Sequence, residues 1–225
     1  SAQALRCCVM KLIDTLLDLL YPPRCPFCHR FLDGGMRVCS RCERSLPYMP
    51  TGGLDRTFEN LNECFSVLRY EGDVRKSLHR YKFGGVSAYA GCYAKLLAEC
   101  IEDNAIYADV VTWAPLSARR LRERGYDQAR LLAEGAAEYM ETPCLSLLKK
   151  RRHNAAQSGT KSADERRGNV RGVYAYAGNT PLDGRTVLLV DDIVTTGATL
   201  DECAGVLRKA GAAEILALTL ACTMD

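Results

Sequence analysis

The chain has 225 residues, 48% hydrophobic and 25% charged, with a formal net charge of +3. Those proportions exclude a disordered chain and support a core of ordinary size, while so small a positive charge does not by itself require a nucleic-acid partner. The length admits one α/β domain with a small appendage.

Leu5, Val9, Leu12, Ile13, Leu16, Leu17 and Leu20 recur at helical spacing and stop at Tyr21-Pro22-Pro23, which predicts a docking helix over residues 1–21. The apolar run 12–20 is interrupted by Asp14 and Asp18 and is shorter than the roughly 20 residues of a membrane span. No small-residue cleavage site follows it. A cytoplasmic protein without a membrane span is expected.

Residues 24–47 are loop-like and rich in cysteine. Cys25-Pro26-Phe27-Cys28 and Cys39-Ser40-Arg41-Cys42 form two knuckles ten residues apart, with Gly34-Gly35 to turn the chain between them. Two such pairs suit one tetrahedral Zn²⁺ with Zn–S distances of about 2.3 Å. Cys25, Cys28, Cys39 and Cys42 are therefore the candidate metal ligands, and His29 is expected to be a neighbour of the site. Four thiolates leave no open position, so the zinc is expected to be structural and to fold a module too small to bury a core alone. A redox C-x-x-C is the competing reading, but such motifs come singly, within a thioredoxin-like unit. The remaining eight of the twelve cysteines lie among apolar residues and are expected to be reduced thiols packed as small hydrophobes.

Pro47, Pro50 and Gly52-Gly53 read as a linker, dividing the chain into residues 1–50, with the helix and zinc module, and residues 51–225. Beyond the linker, strands are predicted at 64–70, 109–114, 145–148, 173–176, 187–190 and 214–220. Helices are predicted at 73–83, 88–103, 126–140 and 199–209, and a polar, charge-rich loop at 149–170. This alternation predicts an α/β domain with a mostly parallel central sheet and flanking helices.

The most informative stretch runs Val187-Leu188-Leu189-Val190-Asp191-Asp192-Ile193-Val194-Thr195-Thr196-Gly197-Ala198-Thr199. A buried strand is followed by two carboxylates and a Thr/Gly turn that opens a helix. Ligands of open α/β sheets sit at the carboxyl ends of the strands, and a helix N-terminus presents free N–H groups to phosphate. Adjacent carboxylates beside a phosphate need hydrogen-bond donors or positive charge, which ribose hydroxyls and hydrated Mg²⁺ supply. An Asp-rich helix cap is the simpler alternative, but capping uses one acid and leaves the second unexplained.

This stretch resembles the 5-phosphoribosyl 1-pyrophosphate (PRPP) signature of type I phosphoribosyltransferases. The resemblance implies that fold, with Asp191 and Asp192 as the catalytic pair that holds the ribose hydroxyls. It also implies that Thr195, Thr196, Gly197, Ala198 and Thr199 cradle the 5′-phosphate. The pyrophosphate end then needs cations from elsewhere. Arg119, Arg120, Arg122 and Arg124 follow the strand at 109–114, Arg151 and Arg152 open the polar loop, and Lys82 ends a helix. Arginine suits phosphate because its planar fork donates paired charge-assisted bonds. A solvated basic surface is the alternative for these stretches, as is a snorkelling lysine for Lys82.

The segments Arg120–Gln128, Gln157–Gly172, Tyr81-Lys82-Phe83-Gly84-Gly85 and Leu20–Cys28 together resemble the ComF family. The likeness runs over nearly the whole chain, with two departures: Trp113-Ala114-Pro115 replaces a Val-Pro-rich turn, and Asp127 stands where Asn is usual. That resemblance implies a role in DNA uptake or utilisation, with single-stranded DNA and a helicase of the uptake machinery as partners. No residue stands out as nucleophile or general base, so phosphoribosyl transfer would rest on positioning and electrostatics from Mg²⁺, Arg and Lys. One rival reading is a non-catalytic single-stranded DNA binder using the basic loops with Trp113, Tyr126 and Tyr81; another is a PRPP-sensing regulator.

Overall fold

The computed structural model describes residues 23–32, 36–151, 172–179 and 181–224. The predicted helix over 1–21, the Gly34-Gly35 turn and most of the loop at 149–170 lie outside these residues.

In chain order the elements are α1 (Ser40–Ser45), β1 (Glu63–Arg69), α2 (Gly72–Phe83), α3 (Tyr89–Asp103), β2 (Val110–Trp113), α4 (Ala118–Arg124) and α5 (Gln128–Tyr139). They continue with β3 (Leu148–Lys150), β4 (Tyr174–Tyr176), β5 (Thr186–Val194), α6 (Ala198–Lys209) and β6 (Glu214–Cys222). Four strands form a wholly parallel sheet in the order β1-β6-β5-β2, and β3 and β4 form a separate antiparallel pair.

Strands buried on both faces need apolar residues at successive positions, not alternate ones. Accordingly Leu188 and Val190 enter one core with residues of α2, α3 and α5, while Val187 and Leu189 enter a second core with α6 and the β3–β4 pair. Helices α3 and α5 approach closely because Gly135 has no side chain: a Cβ there would lie 2.4 Å from that of Ala94.

Two expected strands are corrected and one helix is added. The strand expected at 145–148 runs from Leu148 to Lys150 and pairs with β4, outside the main sheet; its apolar start packs in a core, whereas its two lysines carry the polarity of a loop. Residues 118–124 form α4, which Ser117 caps by accepting from the Arg120 N–H (3.4 Å) and Gly125 ends at φ 81°; its Arg-rich stretch lacks the apolar stripe that would announce a helix. Finally, β5 extends to Val194, with Asp191 and Ile193 paired to Thr219 and Ala221 of β6. Both aspartates therefore sit within the strand and are held by its register.

The cysteine-rich module shares the α2–α3 core. Cys25, Phe27, Leu32, Val38, Cys39 and Cys42 are buried in it beside Tyr81 and Tyr93, and Phe27 packs against Tyr93 with ring centroids 6.1 Å apart. Among the described residues no helix is long and apolar enough to cross a membrane.

Candidate functional site

The four knuckle thiols converge. Their sulfurs lie within 4.8 Å of one another, with Cys28 Sγ and Cys39 Sγ 3.4 Å apart. A tetrahedron with arms of about 2.3 Å has edges of roughly 3.8 Å, so the donor set fits one Zn²⁺. Local backbone prepares the first knuckle: the Cys25 N–H donates to Arg30 O (2.8 Å) and the His29 N–H to Cys25 O (2.9 Å). His29 takes φ 61°, and its Nδ1 lies 3.3 Å from the Tyr89 hydroxyl, apart from the thiol cluster. Burial opposes the Cys39 thiolate, but the Cys42 N–H and neighbouring thiols outweigh it and bring its pKa down to about 7. Metal binding needs the thiolate, and Cys39 is the knuckle cysteine whose surroundings favour that form.

A second polar site opens at the carboxyl ends of β2 and β5, in a cleft of about 330 Å³. Asp191 and Asp192 line it from β5, and Thr195 and Thr199 from the turn and first residues of α6. Gly197 sits at the start of α6 with φ 76°, and a Cβ there would meet Phe58 Cε1 at 2.3 Å. The turn therefore requires glycine twice over, for its left-handed backbone and for its close packing. Arg56 holds the turn from behind, its guanidinium donating to the carbonyls of Thr195 and Thr223. Sequence reasoning misses Arg56 and Phe58, because no local pattern relates Arg56 to a loop 139 residues away.

Cations face the acids across the cleft. Lys82, from the end of α2, pairs with Asp192 at 2.9 Å, the two side chains being 21% and 10% exposed. Arg120 and Arg124 from α4 and Lys150 from β3 also line the cleft. Arg124 donates to Gln128 Oε1 (2.9 Å) and lies over the Phe83 ring (4.9 Å). Lys150 donates to the Tyr174 hydroxyl at 3.1 Å. The remaining cations predicted for the pyrophosphate side lie elsewhere. Arg119 is exposed and paired with Glu123 (2.7 Å), Arg122 is exposed and does not line the cleft, and Arg151 lines a separate groove with Glu202 and Lys209. Arg152 falls outside the described residues.

Electrostatics in the cleft are unbalanced on both sides. Burial, then the Asp192 charge, pushes Asp191 up to about 8, against the pull of Lys82. Burial, then Arg120, pushes Lys150 down, and burial also lowers Arg124. Such an arrangement favours a ligand that brings hydroxyl donors or a cation to the acids and anionic oxygens to the bases. Asp127 instead supports the backbone, accepting from the N–H groups of Leu116 (3.0 Å) and Arg130 (3.3 Å) and so capping α5. The two bonds use both oxygens of the carboxylate, whereas an Asn has a single acceptor oxygen, so Asp at this position accepts from both N–H groups at once.

Comparison with known proteins agrees with this geometry. Residues 126–224 match the phosphoribosyl transferase domain, and residues 16–52 match the double zinc ribbon domain. Competence protein F of Haemophilus influenzae is 30% identical over 201 residues, covering 79% of this chain and 87% of that protein. The chain belongs to the ComF family. Other relatives are the competence protein ComFC of Streptococcus pneumoniae (33% identity, 69% of this chain and 66% of that one) and the DNA utilization protein YhgH of Escherichia coli (27%, 85% and 86%). The architecture of this ComF-family member is thus a type I phosphoribosyltransferase domain with an N-terminal four-cysteine zinc module.

Proposed function

We propose that the cleft binds PRPP with Mg²⁺ and that the protein transfers the phosphoribosyl group to an acceptor, in the service of DNA uptake or utilisation. The observation that carries this reading is the meeting, in one cleft, of Asp191, Asp192 and the Gly197 turn with Lys82, Arg120, Arg124 and Lys150. In this reading residues 1–50 form the zinc module and residues 51–225 the transferase domain.

The acids accept the ribose hydroxyls, and the backbone and hydroxyls of residues 195–199 receive the 5′-phosphate at the α6 N-terminus. Lys82, Arg120, Arg124 and Lys150 face the pyrophosphate. Asp191 and Asp192 fit a hard cation as well, since their mutual repulsion is what one would relieve. When bound, Mg²⁺ adds charge neutralisation on the leaving pyrophosphate. The chain's own contribution is to orient the donor and to set fixed cations where negative charge builds up.

The names of the relatives, in competence and in DNA utilisation, support the wider role. Of the aromatic residues on which a base-stacking DNA site would rest, Tyr81 is fully buried and packed edge-on against Tyr93. Trp113 and Tyr126 are only partly buried, so a single strand bound here would have those two rings and its phosphate contacts, with the steep salt dependence the latter bring.

Titration calorimetry with PRPP and Mg²⁺, followed by a screen for pyrophosphate release across nucleobases, tests the proposal. Saturable binding of one donor per chain is expected. No binding heat together with no pyrophosphate release would refute it.

A further inference from the structure

One helix touches both sites. The middle of α2 docks on the first cysteine knuckle, and its last residues enter the cleft. Ser77 is fully buried; its hydroxyl bonds to the Pro26 carbonyl and lies 2.6 Å from that of Tyr93. Arg80, one turn on, donates through Nη2 to Pro26 O (2.7 Å) and Phe27 O (3.5 Å). Pro26 and Phe27 are the two residues between the metal ligands Cys25 and Cys28. The zinc knuckle thus offers its central carbonyl as the seat for two side chains of α2.

Two residues beyond Arg80, Lys82 makes its 2.9 Å pair with Asp192. The helix ends at once, at Gly84, and Gly85 takes φ 67°. Support for Lys82 therefore comes from the helix behind it and from Tyr81, whose hydroxyl donates to Gln128 O (3.1 Å) and whose carbonyl accepts from Tyr126. A helix rises about 1.5 Å per residue and is stiff over so short a span, so a shift at the knuckle is passed to Lys82 without being absorbed on the way.

We propose that Ser77 and Arg80 are positioning residues. They clamp α2 to the zinc knuckle and so hold Lys82 against Asp192, which makes the affinity of the cleft for its phosphorylated ligand depend on the zinc module. This rests on the reading of the cleft as a PRPP site. The warrant is a contiguous chain of hydrogen bonds and one rigid element, with Lys82 as its terminal part.

The test is a double-mutant cycle on the full-length, zinc-loaded protein. Arg80→Met keeps the aliphatic stem and removes the donors. It is expected to retain one zinc per chain by elemental analysis and to bind PRPP·Mg²⁺ about five- to tenfold more weakly, the range carried by coupled networks. Lys82→Met should lose at least as much. Because Arg80 acts through Lys82, the double variant should bind no worse than Lys82→Met, within about a factor of two. Arg80→Lys, which keeps a cationic donor group, should recover most of the loss.

Additive losses, or unchanged affinity in Arg80→Met, would overturn the proposal. If Arg80→Met does not fold, Ser77→Ala replaces it in the same cycle. If the wild type does not bind PRPP at all, it is the PRPP reading that fails, and the clamp is tested by hydrogen exchange. Faster exchange of amides 78–83 with β6 unchanged supports the clamp, and unchanged exchange at 78–83 disproves it.

Discussion

The zinc module and the cleft are both small polar sites set against the same sheet-and-helix body, yet they are assembled in opposite ways. The thiolates come from residues 25 to 42, and two short turns are enough to gather them. The cleft draws on α2, α4, α5, β3, β4, β5 and α6, from Tyr70 to Thr199, and exists only after β2 and β5 have paired. A site closed by local turns depends on spacing, whereas one built across elements depends on the register of a sheet and on which side of a helix faces inward.

The largest test of this contrast removes a thiolate. Cys39→Ser should abolish retention of zinc and unfold the module, because metal binding and folding are one process in so small a unit; elemental analysis and proteolysis would show this, and full zinc content in the variant would break the four-ligand assignment. The mirror experiment acts on the cleft. Asp191→Asn with Asp192→Asn should weaken PRPP binding by about a hundredfold, as two charge-assisted hydrogen-bond sites are lost, while zinc stays at one per chain. A donor affinity like that of the wild type would remove the ribose assignment.

Next comes the turn. Gly197→Ala must place a Cβ at φ 76° and against Phe58, and should destabilise the protein by about 1–3 kcal/mol; a thermal midpoint unchanged within error would show that the turn relaxes freely. A smaller effect follows from Asp191. Its pKa is raised from 3.8 to about 8, first by burial and then by Asp192. The folded protein holds that proton more tightly than the unfolded chain, so the stability it contributes is complete below 3.8 and is lost as pH rises through about 8. Burial raises Asp127 in the same direction. Thermal midpoints of ligand-free protein should therefore fall with rising pH over this range, less steeply in Asp191→Asn. Equal slopes would contradict the raised pKa. Smallest of all, Arg119→Ala should leave PRPP affinity within about twofold, since an exposed pair with Glu123 contributes little, whereas Arg124→Ala should not.

Much of this was legible from residue order. The strands around residues 64–69, 110–113, 187–190 and 214–220 are apolar at successive positions, and the helices between them carry an apolar stripe, so a covered parallel sheet was readable from the pattern. The cysteine pairs and the Asp-Asp turn were equally plain, being contiguous. What escaped was weakly patterned or distant. Residues 118–124 form a helix without an apolar face, and the small antiparallel pair begins one residue before two lysines. Arg56 is joined to the turn it supports only by the fold.

The sequence alone determined the α/β class, the donor set for zinc and the acid-rich turn, because each is written in neighbouring residues whose chemistry depends on short spacing. Tertiary structure decided which cations meet that turn, selecting Lys82, Arg120, Arg124 and Lys150 and turning Arg119 and Arg122 to the surface. It also decided that the zinc module and the cleft share a helix. Both outcomes depend on how strands register and how helices roll against them, which is fixed by the packing of residues far apart in the chain.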